Sequence, residues 1–448
     1  MSNSIVDKIR EAGVVGAGGA GFPTHVKVSA HAEIVLGNGA SCEPLLVSDI
    51  YLMENMPERV LRGLQLIVQS SGASKGILCL KGKHKRAWES LNKALGQGFP
   101  EIELFSLGNF YPAGDEHVLV YEVTQRVVPQ GGIPIEVGVI VNNVETLLNV
   151  AGAVDEGIPV THRYITVTGE IHKPMITRVP IGTPIDQILD FAGGPTVDEF
   201  FVVVGGPMMG TVTADLSVPV TKTTTALIVL PKAHNIVQGK TMDPQRLLNI
   251  TKTVCCQCSR CTDLCPRRLL GHDIEPHKIM RSLAWASDMS LDVFRQALYC
   301  SECGVCEKYA CPMMISPREV NAKIKKELPK KRAEGKQSTE QYSPSEFREL
   351  RKIPTDRLME KLEITKYDHA LPFEDFRWGQ GELNIPLHQH IGSPAIPVVS
   401  KGDRVKKGEM IADISKDAIG AKLHSPTEGV VVSVDDTIRL RTGISEGP

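Results

Sequence analysis

Cys255-Cys256-Gln257-Cys258-Ser259-Arg260-Cys261-Thr262-Asp263-Leu264-Cys265-Pro266 is answered downstream by Cys300-Ser301-Glu302-Cys303-Gly304-Val305-Cys306-Glu307-Lys308-Tyr309-Ala310-Cys311-Pro312. The first run is spaced C-x2-C-x2-C-x3-C-P, and the second repeats it with one extra residue before its last cysteine. Thiolates at this spacing hold iron–sulfur clusters, three on one loop and a fourth, released by proline, reaching the neighbouring cluster. Two such runs predict two [4Fe–4S] clusters with crossed ligation. Cys255, Cys258, Cys261 and Cys311 would hold one, and Cys300, Cys303, Cys306 and Cys265 the other. Structural zinc is the competing reading, but zinc motifs set two C-x2-C pairs around a long spacer. Disulfides fit worst, because so dense a cluster of thiols without a signal peptide suggests a reducing compartment.

Outward from this stretch, 448 residues suggest about three domains. With 42% hydrophobic and 23% charged residues the composition is that of a globular protein. A formal net charge of −2 gives no electrostatic footprint for nucleic acid. No apolar run reaches the ~20 residues that span a bilayer, so an integral membrane protein is not expected. The charged N-terminus lacks a signal-peptide core, which predicts a cytoplasmic chain. Eight of eleven cysteines belong to the two runs, leaving Cys42, Cys79 and Cys256. Cys79 lies in an apolar run and reads as a buried strand residue, whereas Cys256 adjoins a ligand and is a possible alternative one.

In the N-terminal third, Ile5, Val6 and Ile9 mark one face of a short helix leading into Gly16-Ala17-Gly18-Gly19-Ala20-Gly21-Phe22-Pro23. These glycines formally satisfy G-x-G-x-x-G, but a dinucleotide fingerprint needs a strand before the loop and a helix after it. A standard Rossmann unit is therefore rejected. What survives is a loop whose N–H groups can approach a phosphate, with Lys27 available to neutralise it. Further turns follow at Asn38-Gly39-Ala40-Ser41-Cys42-Glu43-Pro44 and Tyr111-Pro112-Ala113-Gly114-Asp115-Glu116. Val137 to Val141 reads as a buried strand running into Asn142-Asn143-Val144-Glu145-Thr146. Polar strand ends alternating with helical stretches indicate an α/β domain with a ligand site on its loops.

These motifs resemble the flavin- and NADH-binding subunit of respiratory complex I, and more closely the RnfC component of Rnf-type ferredoxin–NAD oxidoreductases. The resemblance implies that Gly16, Gly18, Gly19, Lys27, Asn38, Asn142, Asn143 and Thr146 hold FMN. It places Phe22, Glu43 and Glu116 near the nicotinamide nucleotide, the two glutamates as catalytic residues. Ala40 stands where the complex I pattern has an acidic residue, and Leu45 where it has glycine.

Past Asn149 a strand, hairpin, helix and strand in about 70 residues suggest a β-grasp module, similar to the soluble-ligand-binding (SLBB) domain of the same families. Its bland reading is a spacer between flavin and clusters. Met208 and Met209 read as core. The 34 residues between Cys265 and Cys300 carry helical spacing, including Ile279, Leu283, Ala284, Leu291, Phe294 and Leu298, so the cluster domain is a helical ferredoxin domain. His272 and His277 are left without a metal role. Lys323 to Arg332 and the polar stretch after it read as a solvated linker or a helix end, with a short capped helix from Ser343 turning Phe347 and Leu350 inward. Gly402 to Ile411 and His424 to Val431 resemble a biotinyl/lipoyl-like half-barrel, but the hairpin tip near Ala418 lacks the carrier lysine. An interaction module is the better reading.

Leu387-His388-Gln389-His390-Ile391-Gly392-Ser393-Pro394 matches the segment that opens RnfC, here moved to the C-terminus. That permuted order resembles the cobalamin reductases of propanediol-utilisation microcompartments. The expected fold class is a multidomain α/β and α+β chain: FMN/NADH-binding domain (1–155), SLBB-like β-grasp domain (156–240), helical ferredoxin domain (241–326), linker (327–380) and barrel-sandwich domain (381–448). NADH delivers electrons as a pair and a cluster passes one at a time, so a flavin between them makes a relay. The resemblance implies cobalamin as acceptor, taken from cob(III)alamin to cob(II)alamin and cob(I)alamin. It also implies a corrinoid adenosyltransferase and shell proteins as partners inside a microcompartment. Alternatives are an Rnf-like protein reducing ferredoxin or a membrane complex, and an electron conduit that does not use NADH.

Overall fold

The structure is a computed structural model that describes residues 4–284, 291–328, 342–416 and 418–443. The N-terminal domain is built on four parallel strands in the order Ile102–Leu107, Lys75–Lys81, Ile34–Gly39, Val139–Asn143. Parallel pairs need crossovers, and helices Pro57–Ser71, Lys85–Leu95 and Val144–Asp155 supply the covering layers. Two apolar cores flank the sheet. One holds Leu61, Leu64, Leu78 and Leu147, and the other Leu36, Ile77, Cys79 and Val141. Cys79 is a fully buried strand residue. Asn38 and Asn143 sit in register at the carboxyl ends of neighbouring strands. In open α/β sheets, ligands bind at that edge.

Helix Ile5–Glu11 begins with a Ser4 capping box and buries Ile9, while Ile5 and Val6 pack on the same core. Its Lys8 Nζ donates to the Val154 carbonyl at 2.8 Å. The N-terminal helix is thus docked into the domain.

The β-grasp module is a six-stranded sheet in the order Phe373–Glu374, Met175–Pro180, His162–Gly169, Ala226–Pro231, Phe200–Val204, Thr211–Thr213. Helix Ile185–Phe191 closes its core through Ile185, Ile188 and Leu189. Strand Phe373–Glu374 comes from the segment read as a linker, which is folded wherever it is described. Ile353–Pro354 pairs with Phe110–Tyr111, and helix Thr355–Leu362 buries Leu358, Met359 and Leu362. The expected helix from Ser343 is instead a turn and a short 3-10 segment, Glu349–Arg351. Phe347 and Leu350 face solvent rather than inward. Arg348 takes the inner position, stacking over Tyr121 and pairing with Glu122. A guanidinium with both a carboxylate and an aromatic face outcompetes two apolar side chains for that place.

In the insert between the cysteine runs, helices span Pro276–Ala284 and Leu291–Arg295, and residues 285–290 lie outside those described. Lys323 to Glu327 of the charged run continue helix Pro317–Glu327, and residues 329–341 likewise lie outside the described part. The C-terminal module packs a four-stranded sheet (Gly381–Pro386, Thr437–Thr442, Gly429–Val434, Arg404–Val405) on a three-stranded one (Ile396–Pro397, Met410–Asp413, Leu423–His424). Among the described residues no helix is long and apolar enough to cross a membrane.

Candidate functional site

A cleft of about 580 Å³ opens between the carboxyl edge of the parallel sheet and the β-grasp module. That lies within the usual range for small-molecule sites, roughly 300–1,000 Å³. Gly18, Gly19 and Ala20 form one wall and are exposed to it. Gly16 shapes the loop, its N–H bonding the Phe22 carbonyl at 2.8 Å while its own carbonyl accepts from Gly21 at 3.2 Å. Among the described residues, the N–H groups of Gly18, Gly19 and Ala20 have no backbone partner. They lie at the cleft beside the N-terminus of helix Val144–Asp155, where Asn143 is the cap.

Several modules hold this loop. Thr146, fully buried, accepts the Ala17 N–H at 2.9 Å. Arg163, on the first strand of the β-grasp module, donates to the Ala17 carbonyl at 2.9 Å and the Thr224 carbonyl at 2.9 Å. Its charge is met by Glu145 at 3.1 Å, both groups deeply buried. The C-terminal module grips the far end, with Ile391 N–H bonding the Gly21 carbonyl at 3.0 Å. Lys222 ties three modules together. Its Nζ donates to Gly13 and Lys422 carbonyls at 2.7 and 2.6 Å, and its N–H to Gln389 Oε1 at 3.0 Å.

The residues singled out from the sequence divide into two groups. Gly18, Gly19, Asn38, Glu43 and Asn143 line the cleft. Asn38 reaches the Gly114 carbonyl at 3.0 Å, and Asn143 donates to Asp49 at 2.6 Å. Asn142 is buried one position back with its Nδ2 unpartnered among the described residues. Lys27 and Glu116 lie outside the lining and pair with each other at 3.0 Å, Lys27 also reaching the Val141 carbonyl at 2.8 Å. Gly16, Phe22 and Thr146 likewise stand behind the loop rather than in the cleft.

Glu43 spends both oxygens on backbone N–H groups of the β-grasp module, Met208 at 3.0 Å and Met209 at 2.9 Å. Burial raises its pKa, opposed by those two N–H groups and by Lys240 and Arg318. Gly206 is required here, because a Cβ would collide with the Glu43 carboxylate. Met208 is core, while Met209 is half-exposed on the cleft wall.

Other cleft residues escaped the sequence reading, Arg163, Asp49 and the threonines at 221 and 223–225, while Tyr111 and Asp115 lie on a turn it quoted without giving them a role. The polar run Thr221-Lys222-Thr223-Thr224-Thr225 between apolar strands was a visible signal, and so was an arginine opening the strand His162–Gly169. Asp49 is pushed up to about 6 by burial, against the hydrogen bond from Asn143. Asp115 would also be raised by burial, but Arg267 of the cysteine domain, at 2.9 Å, helps bring it below the usual carboxylate range. Among the lining side chains Arg163 is the one Lys or Arg, against Glu43, Asp49 and Asp115. A phosphate here would therefore be held by backbone N–H groups and hydroxyls rather than by a free cation. The residues present fit FMN in this sense.

The thiols fall into two sets. Cys255, Cys258, Cys261 and Cys311 line one cavity, together with Cys256, His277 and Met280. Cys261 is pushed up to about 12 by burial and then by Cys255, Cys311 and Cys258. In the second set, Cys306 is raised by burial and then by Cys300, Glu307, Cys303 and Cys265. Each last cysteine of a run therefore sits with the other run. The extra residue before Cys311 is taken up as a π-helical turn, Val305–Ala310, which returns the cysteine to the facing cavity. Among the described residues no three His, Cys, Asp or Glu side chains converge on one mononuclear site. Four thiols around one cavity are the ligand set that a [4Fe–4S] cluster takes.

The sets differ in surroundings. Cys256 and Cys258 are exposed, as are Met313 and Met314, whereas Cys303 and Cys306 are 8% exposed. Cys303 also lines the cleft, and its carbonyl accepts the Tyr111 hydroxyl at 2.7 Å. His272 is held by the Val128 carbonyl at 2.9 Å, and His277 by the Thr262 hydroxyl at 2.7 Å.

Four stretches of the chain match known family models. Residues 9–152 match the family model of the Nuo51 FMN-binding domain, 164–212 the SLBB domain, 254–316 a 4Fe-4S dicluster domain, and 369–443 the RnfC barrel sandwich hybrid domain. The chain is 42% identical over 437 residues to cobalamin reductase PduS of Citrobacter freundii, covering 97% of this chain and 95% of that protein. It is 41% identical over 436 residues to cobalamin reductase PduS of Salmonella typhimurium, at 97% and 95% coverage. A component of the Na(+)-translocating ferredoxin:NAD(+) oxidoreductase complex of Acetobacterium woodii is 34% identical over 273 residues, 60% of this chain and 59% of that one. An air-oxidised NAD+-reducing [NiFe]-hydrogenase structure aligns with TM-score 0.49 and 22% identity, over 70% of this chain and 59% of that one.

Proposed function

The chain belongs to the cobalamin reductase family, and from that membership we propose that it carries electrons from NADH to cobalamin, with FMN and two [4Fe–4S] clusters as its carriers. When bound, FMN takes up electrons as a pair and releases them singly, and each cluster holds one at a time. The observation that carries this reading is the position of Cys303, which lines the same cleft as the glycine loop.

Gly18, Gly19 and Ala20 would hold the FMN phosphate through their N–H groups, with the partial positive charge of the N-terminus of helix Val144–Asp155 beside them. Thr146 and Arg163 keep the loop in that shape. Asn38 and Asn143, which line the cleft from the strand ends, would hold the flavin, while Glu43 holds the β-grasp turn that closes the cleft. Lys27 and Glu116 form an ion pair that ties to the Val141 carbonyl, on the strand that ends in Asn142 and Asn143. Cys265, Cys300, Cys303 and Cys306 make the inner, entry cluster site. Cys255, Cys258, Cys261 and Cys311 make the outer, exit site, because Cys258 and its neighbours reach solvent. We further infer, on the resemblance to propanediol-utilisation proteins, that a corrinoid adenosyltransferase receives the product inside a microcompartment. The test is anaerobic addition of NADH to FMN-loaded, iron-reconstituted protein. Flavin and cluster absorbance should both bleach, and added cob(III)alamin should then be reduced. A flavin that stays oxidised overturns the proposal.

A further inference from the structure

Helix Pro317–Glu327 runs beside both thiol sets. Pro317 lines the outer cavity with Cys255, Cys258, Cys261 and Cys311. Two turns on, Lys325 Nζ donates to the carbonyl of Cys300, in the inner set. Positions 317, 321 and 325 share one face of a helix, since residues four apart stack above one another. The helix packs against Gln296–Tyr299, which leads into Cys300, against the π-turn Val305–Ala310 and against helix Pro276–Ala284. Asn321 occupies the middle of that face. It is 0% exposed, and among the described residues neither its Nδ2 nor its Oδ1 has a hydrogen-bond partner.

A buried amide with both ends unpaired is among the costliest groups a core can hold, and native structures avoid it unless something else satisfies it. The neighbour on the next position, Val320, packs into an apolar core with Ile279, Met280 and Ala297. An amide rather than another apolar side chain beside that core calls for a polar partner. Thiolate and sulfide sulfurs are acceptors only, and an Asn amide carries two N–H donors.

We propose that Asn321 donates a hydrogen bond to an inorganic sulfide of a cluster, no cysteine sulfur being within hydrogen-bond reach of it among the described residues, and thereby tunes that cluster's reduction potential. The inference rests on the two-cluster reading above. A donor to cluster sulfur favours the more negatively charged, reduced state and raises the potential. Asn321 is a positioning and tuning residue, since it gives no ligand to iron.

The test compares wild type and Asn321→Leu after anaerobic iron–sulfur reconstitution, by iron content and by redox titration followed with EPR. Iron content should be equal. At least one midpoint potential should fall, by a threefold to tenfold change in the reduction equilibrium, tenfold being about 59 mV for one electron. Equal iron with both potentials unchanged overturns the proposal. A second measurement needs no variant: ENDOR of the reduced wild type, labelled with 15N at asparagine, should show a 15N coupling at a cluster. Its absence also overturns the proposal. Wild type that takes up no cluster iron would sink the two-cluster reading itself, which separates the two failures.

Discussion

The two cysteine loops share one backbone grammar and differ in everything around it. In Cys255–Cys261 the left-handed residues are Gln257 and Ser259, and in Cys300–Cys306 they are Glu302 and Gly304, the same two positions of each loop. In both, the first sulfur accepts a hydrogen bond from the residue two places on, Gln257 Nε2 at 3.1 Å and Glu302 N–H at 3.3 Å. Yet one loop opens to solvent beside Met313 and Met314, while the other is buried against the cleft and the β-grasp turn. Local backbone sets how a thiol loop wraps a cluster. In the proposed relay, what tertiary structure places beside it sets whether that cluster receives electrons or hands them on.

The strongest way to break this comparison is to disable the loops one at a time. Cys303→Ser and Cys258→Ser should each lower iron content by roughly half, because each removes one ligand of one cluster. They should differ in consequence. With Cys258→Ser the flavin should still reduce the remaining cluster, and with Cys303→Ser flavin reduction by donor should survive alone. Identical behaviour of the two variants would erase the distinction between inner and outer sites.

A lesion on the cleft side should leave both loops intact. Thr146→Val removes the acceptor of the buried Ala17 N–H, at a cost of about 1–3 kcal/mol that the glycine loop escapes only by shifting. FMN affinity, read by flavin fluorescence titration, should weaken by up to about a hundredfold at equal iron content. Unchanged affinity would mean that the loop keeps its shape without Thr146.

The smallest effect is a pH slope. The folded-state pKa of Asp49 is raised from its ordinary 3.8 to about 6, chiefly by burial. Its protonated form is thus favoured by folding, and its contribution is complete below about 4 and lost as pH rises through about 6. Thermal melting should show wild type losing stability over that window relative to Asp49→Asn, with equal cluster content in both. Parallel profiles would contradict the assignment.

Much of this was legible in the sequence. Cysteine spacing and prolines pointed to two thiol sets with exchanged fourth members, and alternating apolar runs and polar turns to an α/β domain. Glycines 18 and 19 and the two strand-end asparagines marked the edge where the cleft lies. What periodicity missed came from other modules. Arg163 and the threonine run are local features of the β-grasp sheet, and only packing carries them to the glycine loop. Glu43 read as an acid beside a nucleotide, but its partners are backbone N–H groups 165 and 166 positions away, which no side-chain pattern announces. Phe347 and Leu350 failed as inward residues because Arg348 had Glu122 and Tyr121 to receive it. The extra residue before Cys311 looked like a defect in spacing, and the π-turn absorbs it.

The central claim is the order of the relay, from the cleft through the Cys303 site to the Cys258 site. Rapid freeze-quench EPR after a light pulse that photoreduces the flavin tests it without relying on NADH. In wild type, the cluster signal lost in Cys303→Ser should appear first and the one lost in Cys258→Ser second, and in Cys303→Ser the outer cluster should stay oxidised over the same interval. An outer cluster reduced at the wild-type rate in Cys303→Ser would contradict the account.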